Sequence, residues 1–307
     1  MNFSKLDMNL LNAIADLQEV PAGAINVRRD GQAVIRQSSS QVDIRTNPKN
    51  NGLVVEVKPG TRDETVHIPV ILTRADFQDK VFNTFIIGED AEVTIIAGCG
   101  IHNAGHGESR HDGIHEFVVA DNARVKYVEK HYGEGSDQGK KVLNPTTIVR
   151  VGKGASVEME MFQIRGVDDT VRSTIAHVEA GGNLKLLERL MTHGKQNAES
   201  LIEINIEGEN GTAQILSRSV ARDDSTQLFK ASLVGKNQCY GHVECDAIIM
   251  DSARIKSVPQ LVAEDARAEL THEAAIGRIA GEQLTKLMSL GLSEQEAVDT
   301  ILEGFLR

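Results

Sequence analysis

The stretch Gly152-Lys-Gly-Ala-Ser-Val157 shows the unit from which this chain is built: a glycine-rich turn that leads into a strand of alternating apolar residues. The same unit returns along the sequence, and its copies begin at Gly88, Ala120, Gly152, Glu179 and Gly208, with weaker copies at Gly235 and Ala263. Successive starts are separated by 32, 32, 27, 29, 27 and 28 residues. A near-constant period of this length predicts a solenoid, in which each unit needs its neighbours to bury its apolar face.

The strands of this solenoid are expected between residues 24 and 270, where apolar residues recur at every second position, as at Val157, Met159 and Met161. A β-sandwich also alternates strands with turns, but it gives no reason for the same turn to return every ~28 residues. The composition agrees with stacked strands, since 40% of the 307 residues are hydrophobic while only 4% are aromatic. We therefore predict an all-β core with the architecture of a parallel β-helix, a form of β-solenoid.

Short helical segments are expected at both termini. Leu6, Leu10, Ile14 and Leu17 recur at helical spacing before Pro21, which predicts one amphipathic helix that caps the solenoid or docks on it.

The C-terminal pattern predicts a helical hairpin. Apolar residues recur at helical spacing from Ala274 to Met288, Gly291 interrupts them, and Ser293-Glu-Gln-Glu296 is a capping box that opens a second helix through Leu306. The predicted organisation is thus an N-terminal helix (1–23), a β-helix core (24–270) and a C-terminal hairpin (271–307).

Charge and apolar run lengths exclude several classes of partner. The formal net charge of −11 would repel a phosphate backbone, so we expect no nucleic acid. No apolar stretch reaches the roughly 18 residues that span a bilayer, and the first 22 residues do not resemble a signal peptide, so we expect a cytoplasmic protein with no membrane contact. Cys99, Cys239 and Cys245 cannot form an even set of disulfides, which predicts free thiols.

Known catalytic motifs are absent from the sequence, and we expect no enzyme. The nearest approach to a phosphate loop, residues 133–140, has the wrong spacing, so the chain should not hydrolyse ATP alone. A denser set of chemical groups lies between Gly98 and Glu116, where four histidines and a cysteine alternate with glycines. Metal binding there is one hypothesis. We favour a polar loop for His102, His106 and His111, because the glycines make a helix improbable.

The repeat phase suggests two candidate sites. Cys245 lies ten residues after Gly235 and Glu273 ten residues after Ala263, which would stack their side chains roughly 5 Å apart. Cys99 and His131 each fall eleven residues into their repeats and would stack in the same way. About five repeats, or about 24 Å, separate the two cysteines, so they should not share one ion.

The end of the chain carries the most specific resemblance. Residues 270–284 read Leu-Thr-His-Glu-Ala-Ala-Ile-Gly-Arg-Ile-Ala-Gly-Glu-Gln-Leu, and Gly-Leu-Ser-Glu-Gln-Glu-Ala follows at 291–297. Together with Gly98-Cys99, the His115-containing strand and Cys245-Asp246, this sequence resembles the SufB/SufD family of iron–sulfur cluster assembly proteins.

This resemblance implies a right-handed parallel β-helix that works with a SufC-like ABC ATPase docked on the C-terminal helices. In SufB-type members a cysteine that matches Cys245 and a carboxylate that matches Glu273 are held to assemble a transient iron–sulfur cluster, and we expect His272 and His242 to support them. Cys99 with His131 is the second candidate metal site. Because SufD-type members lack the cysteine, this chain is the more SufB-like.

Departures from the family leave alternatives open. The large N-terminal domain of longer members is missing, the expected Gln is His131, and the expected Arg is Leu290, which suggests a short member that forms a homodimer or a SufB/SufD-type heterodimer. Three cysteines cannot complete a four-thiolate cluster, so mixed ligands or a second subunit are needed. The other hypotheses are a SufD-like structural subunit without metal, and a carbohydrate-acting β-helix enzyme that uses Glu158, Glu160 and Glu188.

Overall fold

Two long sheets and three short helices make up the part of the chain that the computed structural model describes, residues 3–48 and 51–306. Helix α1 spans Lys5–Ala15, α2 spans Gly281–Ser289 and α3 spans Glu294–Phe305. The strands are β1 Ala24–Arg29, β2 Gln32–Gln37, β3 Val42–Thr46, β4 Leu53–Val57, β5 Glu64–Leu72, β6 Gln78–Ile87, β7 Glu92–Asn103, β8 Glu108–Val119, β9 Arg124–Gly135, β10 Lys140–Leu143, β11 Thr146–Val151, β12 Ser156–Arg165, β13 Asp169–Val178, β14 Asn183–Thr192, β15 Asn197–Ile206, β16 Gly211–Ala221, β17 Thr226–Gly235, β18 Cys239–Ile249, β19 Arg254–Ala263 and β20 Ala268–Gly277.

From β4 onward the strands alternate between the two sheets, with β10 and β11 together taking one place in sheet B. Sheet A has the order β2-β1-β5-β7-β9-β12-β14-β16-β18-β20, and sheet B has the order β19-β17-β15-β13-β10-β8-β6-β4-β3, with β11 extending β10 between β13 and β8. Pairing among the described strands is parallel except for β1 with β2 and β3 with β4. The predicted β-solenoid is confirmed, with about eight turns.

The recurring hexapeptide sets the turn between the sheets. Its third residue adopts a left-handed backbone in every strong copy, at Asp90, Asn122, Gly154, Gly181 and Asn210, with φ between 57° and 64°. Asn, Asp and Gly reach this conformation at the lowest cost, which is why the sequence restricts the position to them. The fourth residue is small and buried, so the following strand can turn inward over the core.

The core fills the space between the sheets with small branched side chains from alternate strand positions. Helix α1 begins at a capping box in which Ser4 and Asp7 exchange hydrogen bonds, and it packs on the outer face of sheet A through Leu10 and Ile14. Helix α3 packs on the same face further along, where Val298 and Leu302 meet Val220. No helix in the described residues is long and apolar enough to cross a membrane.

Two sequence expectations about secondary structure are wrong. The helix expected from Ala274 begins only at Gly281, because residues 274–277 pair with β18 and continue β20. The loop expected for His102 and His111 is instead two long strands, with only His106 in the turn between them.

Glycine at position 98 serves close packing and not loop flexibility. A Cβ atom there would lie 2.5 Å from the Lys130 carbonyl oxygen and 2.9 Å from that of Ile14 in α1. The capping box at Ser293 is confirmed, whereas the division into three domains and the cytoplasmic location stay predictions.

Candidate functional site

Polar side chains line part of the interior of the solenoid, where strand alternation would ordinarily place apolar ones. We call this set the polar row, and it comprises Arg28, Asp79, Cys99, His111, His115, Tyr127, Glu129, His131, Arg172, Glu188, Ser200 and Ser217. Its members come from both sheets and from strands far apart in sequence. Buried polar groups of this kind are costly unless they are paired, so their contacts decide what the row can do.

Arg172 is the centre of the row's ion pairs. Its Nη1 lies 2.5 Å from Glu129 Oε2, and its Nε lies 3.7 Å from Glu188 Oε1. Ser200 and Ser217 donate hydrogen bonds to the two oxygens of Glu188, at 2.7 and 3.1 Å. Burial alone would raise the pKa of Glu129, but His131 and the Arg172 guanidinium hold that pKa well below its usual range. Glu129 is therefore a buried, ionised carboxylate.

The two histidines of β8 lie beside this centre. His115 Nδ1 is 2.8 Å from the Tyr127 hydroxyl, which itself donates to Glu129 Oε1 at 3.0 Å. Burial lowers the pKa of His115 to about 4, so the ring is neutral at physiological pH. His111 Nδ1 lies 3.4 Å from Asp79 Oδ2, and Asp79 also accepts two hydrogen bonds of 2.8 Å from Arg28.

Cys99 and His131 are neighbours in the ladder of sheet A, as predicted from the repeat phase. Both side chains line an enclosed cavity of about 10 Å³, together with His111, His115 and Glu129. Burial raises the pKa of the Cys99 thiol well above its usual value, and the charges of Asp79 and Glu129 raise it further. The thiol is protonated in the absence of a bound cation.

Cys245 lies at the other end of the interior. It follows Ser217 in the ladder of sheet A and faces inward, with 2% of its surface exposed. Burial raises the pKa of the Cys245 thiol, which the Ser257 hydroxyl offsets only in part. Cys245 lies in the same row of the sheet A ladder as Ser217, Glu188 and Glu129, with the apolar Met161 between the two glutamates.

The predicted stacking of Cys245 on Glu273 is wrong. Glu273 pairs with Glu244, and Cys245 pairs with Ala274, so the thiol and the carboxylate lie on opposite faces of sheet A. The turn before β20 has one residue more than the turn before β18, because Gly235 pairs with Ala263 whereas Cys239 pairs with Ala268. A shift of one residue turns every side chain of a strand to the other face.

The other two residues predicted for this end differ in orientation. His272 pairs with Val243 and shares the inward face of Cys245, two positions along the strand. His242 faces outward, where its Nδ1 lies 2.8 Å from the Thr271 hydroxyl. The structure thus groups Cys245 with His272 and separates both from His242 and Glu273. The roles of these residues toward a metal stay predictions.

Sequence reasoning missed the most connected members of the row, Arg172, Glu129 and Tyr127. A usable signal was present, because each lies at the inward phase of its strand, where the alternation calls for an apolar residue. No group of three metal-binding side chains at ligand spacing occurs in the described residues.

The carbohydrate-enzyme hypothesis loses its geometric basis. Glu158 and Glu160 lie on the outer face of sheet A beside Lys126, whereas Glu188 is buried in the interior. These three carboxylates therefore do not share one exposed face.

Comparison with known proteins agrees with the resemblance of the C-terminal motif. The family model described as "SUF system FeS cluster assembly, SufBD core domain" matches residues 75–305. An iron–sulfur cluster assembly SufBD family protein of Archaeoglobus fulgidus is 29% identical over 83% of this chain and 68% of its own length. Relatives with the same description occur in Methanocaldococcus jannaschii, 26% identical over 97% of both chains, and in Methanothermobacter thermautotrophicus, 27% identical over 83% of this chain and 62% of the relative. This chain belongs to the SufBD family of iron–sulfur cluster assembly proteins.

Proposed function

We propose that this chain is a SufB-like scaffold subunit on which a transient iron–sulfur cluster is assembled, with a SufC-like ABC ATPase as its partner. The observation that carries the proposal is the inward-facing thiol of Cys245 on β18. His272 lies on the same face of the neighbouring terminal strand, β20. Thiolate and imidazole are ligands that suit iron. Cys245 is part of the core, but a purely structural subunit has no packing reason for the imidazole of His272, because β20 is largely exposed at this position.

The exposed end supports the need for a second subunit. Strand β20 pairs only with β18 in the described chain, so its other edge is free for another strand. We propose that a second β-helix, from a copy of this chain or from a SufD-type partner, covers this edge and brings further ligands to the cluster. Glu273 stays a proposed ligand in that setting, because it reaches outward from the same strand.

The C-terminal helices support the ATPase partnership. Helix α2 has no buried residue, whereas α3 anchors the hairpin on sheet A through Val298 and Leu302. Met288 and Leu290, at the end of α2, are 45% and 72% exposed. We propose that this apolar edge contacts the ATPase, which would supply ATP hydrolysis while the chain itself catalyses no reaction.

Anaerobic reconstitution with ferrous iron and sulfide tests the scaffold role, read as the visible absorbance of the cluster. We expect Cys245→Ser to abolish the cluster with little change in melting temperature. Cys239→Ser is the matched control, since Cys239 is buried on the same face of the same strand, and it should reconstitute as the parent does. Comparing the cluster absorbance of His272→Ala with that of Glu273→Gln ranks the two proposed supporting ligands. We expect the larger loss of absorbance from His272→Ala. Normal reconstitution of Cys245→Ser would contradict the assignment.

Co-purification with a SufC-like ATPase tests the partnership. The double substitution Met288→Asp with Leu290→Asp should abolish binding without lowering the melting temperature, because neither side chain is buried. Val171→Asp is a control at an apolar position on sheet B that is about as exposed as Met288. Undiminished binding by the double variant would remove α2 from the interface.

A further inference from the structure

Two histidines of β8 point the same nitrogen into one small space. A Cβ atom built on Gly113 would lie 3.2 Å from His115 Nε2 and 3.3 Å from His111 Nε2. Glycine thus leaves open the volume toward which both nitrogens are directed. The space belongs to the enclosed cavity of about 10 Å³, which is enough for one water-sized group. Both imidazoles are buried, with 8% and 5% of their surface exposed.

The hydrogen-bond chain fixes which nitrogen of His115 carries the proton. The single hydroxyl proton of Tyr127 is donated to Glu129, so the Tyr127 oxygen can only accept from His115 Nδ1. The neutral ring then has its lone pair on Nε2, facing the space over Gly113. The side-chain nitrogen of Asn83 lies 3.4 Å from His115 Nε2 and agrees with this assignment, because an amide nitrogen only donates. A ligand bound at Nε2 would displace this long hydrogen bond.

His111 is oriented in the same way by a different partner. The Asp79 carboxylate forms a buried ion pair with Arg28, whose guanidinium donates two hydrogen bonds of 2.8 Å to it. It therefore favours the proton of His111 on Nδ1, 3.4 Å away, and leaves the lone pair on Nε2. A histidine whose other nitrogen faces a carboxylate, directly or through one group, is the usual arrangement of a metal-binding imidazole.

The surroundings also suit a cation. Cys99 is the sulfur donor among the residues that line the cavity. The polar row contains three carboxylates, those of Asp79, Glu129 and Glu188. It contains two guanidinium groups, those of Arg28 and Arg172, so one negative charge is left over. A doubly charged ion that displaces the thiol proton would bring the row to neutrality, and that balance lowers the cost of burying its charges.

We propose that the space over Gly113 binds one divalent transition-metal ion, such as Fe²⁺, Co²⁺ or Zn²⁺, through Nε2 of His111, Nε2 of His115 and Sγ of Cys99. Imidazole and thiolate together select this class of ion. No three donors of the described residues already stand at ligand spacing, so the ion draws them together as it binds. The S–H bond of Cys99 breaks, its proton leaves to solvent and a metal–sulfur bond forms, with no change of oxidation state. The site lies about 24 Å from Cys245, five strand spacings along sheet A, and does not depend on the proposed assembly role.

Titration of the chelator-treated, reduced full-length chain with Co²⁺ tests the site. We expect one ion per chain, a visible ligand-field spectrum with a near-ultraviolet sulfur-to-cobalt band, and one proton released per ion. Cys99→Ser should lose the sulfur band. Gly113→Ala removes no donor but fills the space, and should weaken binding at least tenfold. Tyr127→Phe removes the hydroxyl that holds the proton of His115 on Nδ1. It should weaken binding 10- to 100-fold, the range for groups that orient metal ligands.

Three controls separate binding at this site from binding elsewhere in the chain and from loss of the fold. Gly277→Ala tests glycine replacement where a Cβ meets nothing within 4 Å, and should bind Co²⁺ as the parent does. Thermal unfolding followed by circular dichroism checks that each variant is folded. Cys245→Ser should keep the sulfur band. If the band follows Cys245 and not Cys99, or if the folded parent binds no Co²⁺, the interior site is refuted while the proposed assembly function stands.

Discussion

The two ends of the solenoid use the same parallel ladder but differ in what covers them. At the first end, α1 lies across sheet A, and the antiparallel pairs β1–β2 and β3–β4 complete the sheets. At the last end, β19 and β20 are the terminal strands of the two sheets, and almost every residue of β20 is exposed. Both ends therefore have edge strands, β2 and β3 at the first and β19 and β20 at the last. The first end is covered by α1 and ends in antiparallel pairs, whereas β20 continues the parallel ladder and leaves its side chains exposed.

The difference extends to where charge is buried. The interior between β1 and β14 contains the ion pairs of Arg28 and Arg172 at low exposure, whereas the last strand, β20, carries its polar residues at the surface. A buried ion pair is costly to break because one uncompensated charge remains inside. Substitutions in the two regions should therefore differ widely in their effect on stability.

Arg172→Ala should give the largest effect. It leaves Glu129 and Glu188 buried without their cation, and we expect a loss of about 4 kcal/mol in the free energy of unfolding. Urea denaturation measures it. Lys185→Ala is the control, because Lys185 forms only an exposed pair with Glu158 and its loss should change stability by less than about 1 kcal/mol. Equal effects from the two variants would contradict the buried ion-pair network.

Leu10→Ala tests the covered end. Leu10 is fully buried between α1 and sheet A, where its Cδ2 would lie 3.3 Å from a Cβ on Gly100. We expect a loss of about 3 kcal/mol, measured by the same denaturation. Leu290→Ala, at an exposed leucine near the other end, should cost less than about 0.5 kcal/mol. A small effect from Leu10→Ala would mean that α1 is not needed to close the fold.

Acidification should lower the stability of the interior through His115, which lies on β8. Its pKa is about 4 in the folded chain against 6.5 in the unfolded one, so below pH 6.5 the unfolded state takes up a proton that the folded state refuses. Stability should therefore fall as the pH drops from 7 to 5, by about 2 kcal/mol from this group. Thermal unfolding across this range measures it. A His115→Gln variant should show a shallower dependence, and an unchanged slope would mean that His115 is not the group responsible.

Ile276→Asp should have the smallest effect on stability and the clearest effect on assembly. Ile276 is 45% exposed on β20, so the free energy of unfolding should change by less than about 0.5 kcal/mol. If β20 is the proposed contact between β-helices, light scattering should report a dimer for the parent and a monomer for the variant. A monomeric parent at micromolar concentration, with and without the ATPase, would remove this contact.

Local features of the backbone could be predicted from the sequence alone. The left-handed third position of each hexapeptide restricts the residue to Asn, Asp or Gly, and its return marked every strong turn of the solenoid. The box at Ser293 and Glu296 likewise located the start of α3. These signals depend on backbone conformation within a few residues, and the chain encodes such conformation directly.

The arrangement of the candidate sites depended on the tertiary structure. One extra residue in the turn before β20 places Glu273 on the opposite face of sheet A from Cys245. The repeat spacing in the sequence does not show whether that extra residue belongs to the turn or to the strand. Arg172 reaches Glu129 across 43 positions of sequence, and His111 meets His115 over Gly113 only because both lie at the inward phase of one straight strand. The sequence by itself thus determined the repeat, its turns and its family. The strand register and the contacts between side chains far apart in sequence depended on how the strands stack in the tertiary structure. A shift of one residue in a turn changes the face that every side chain of the following strand occupies.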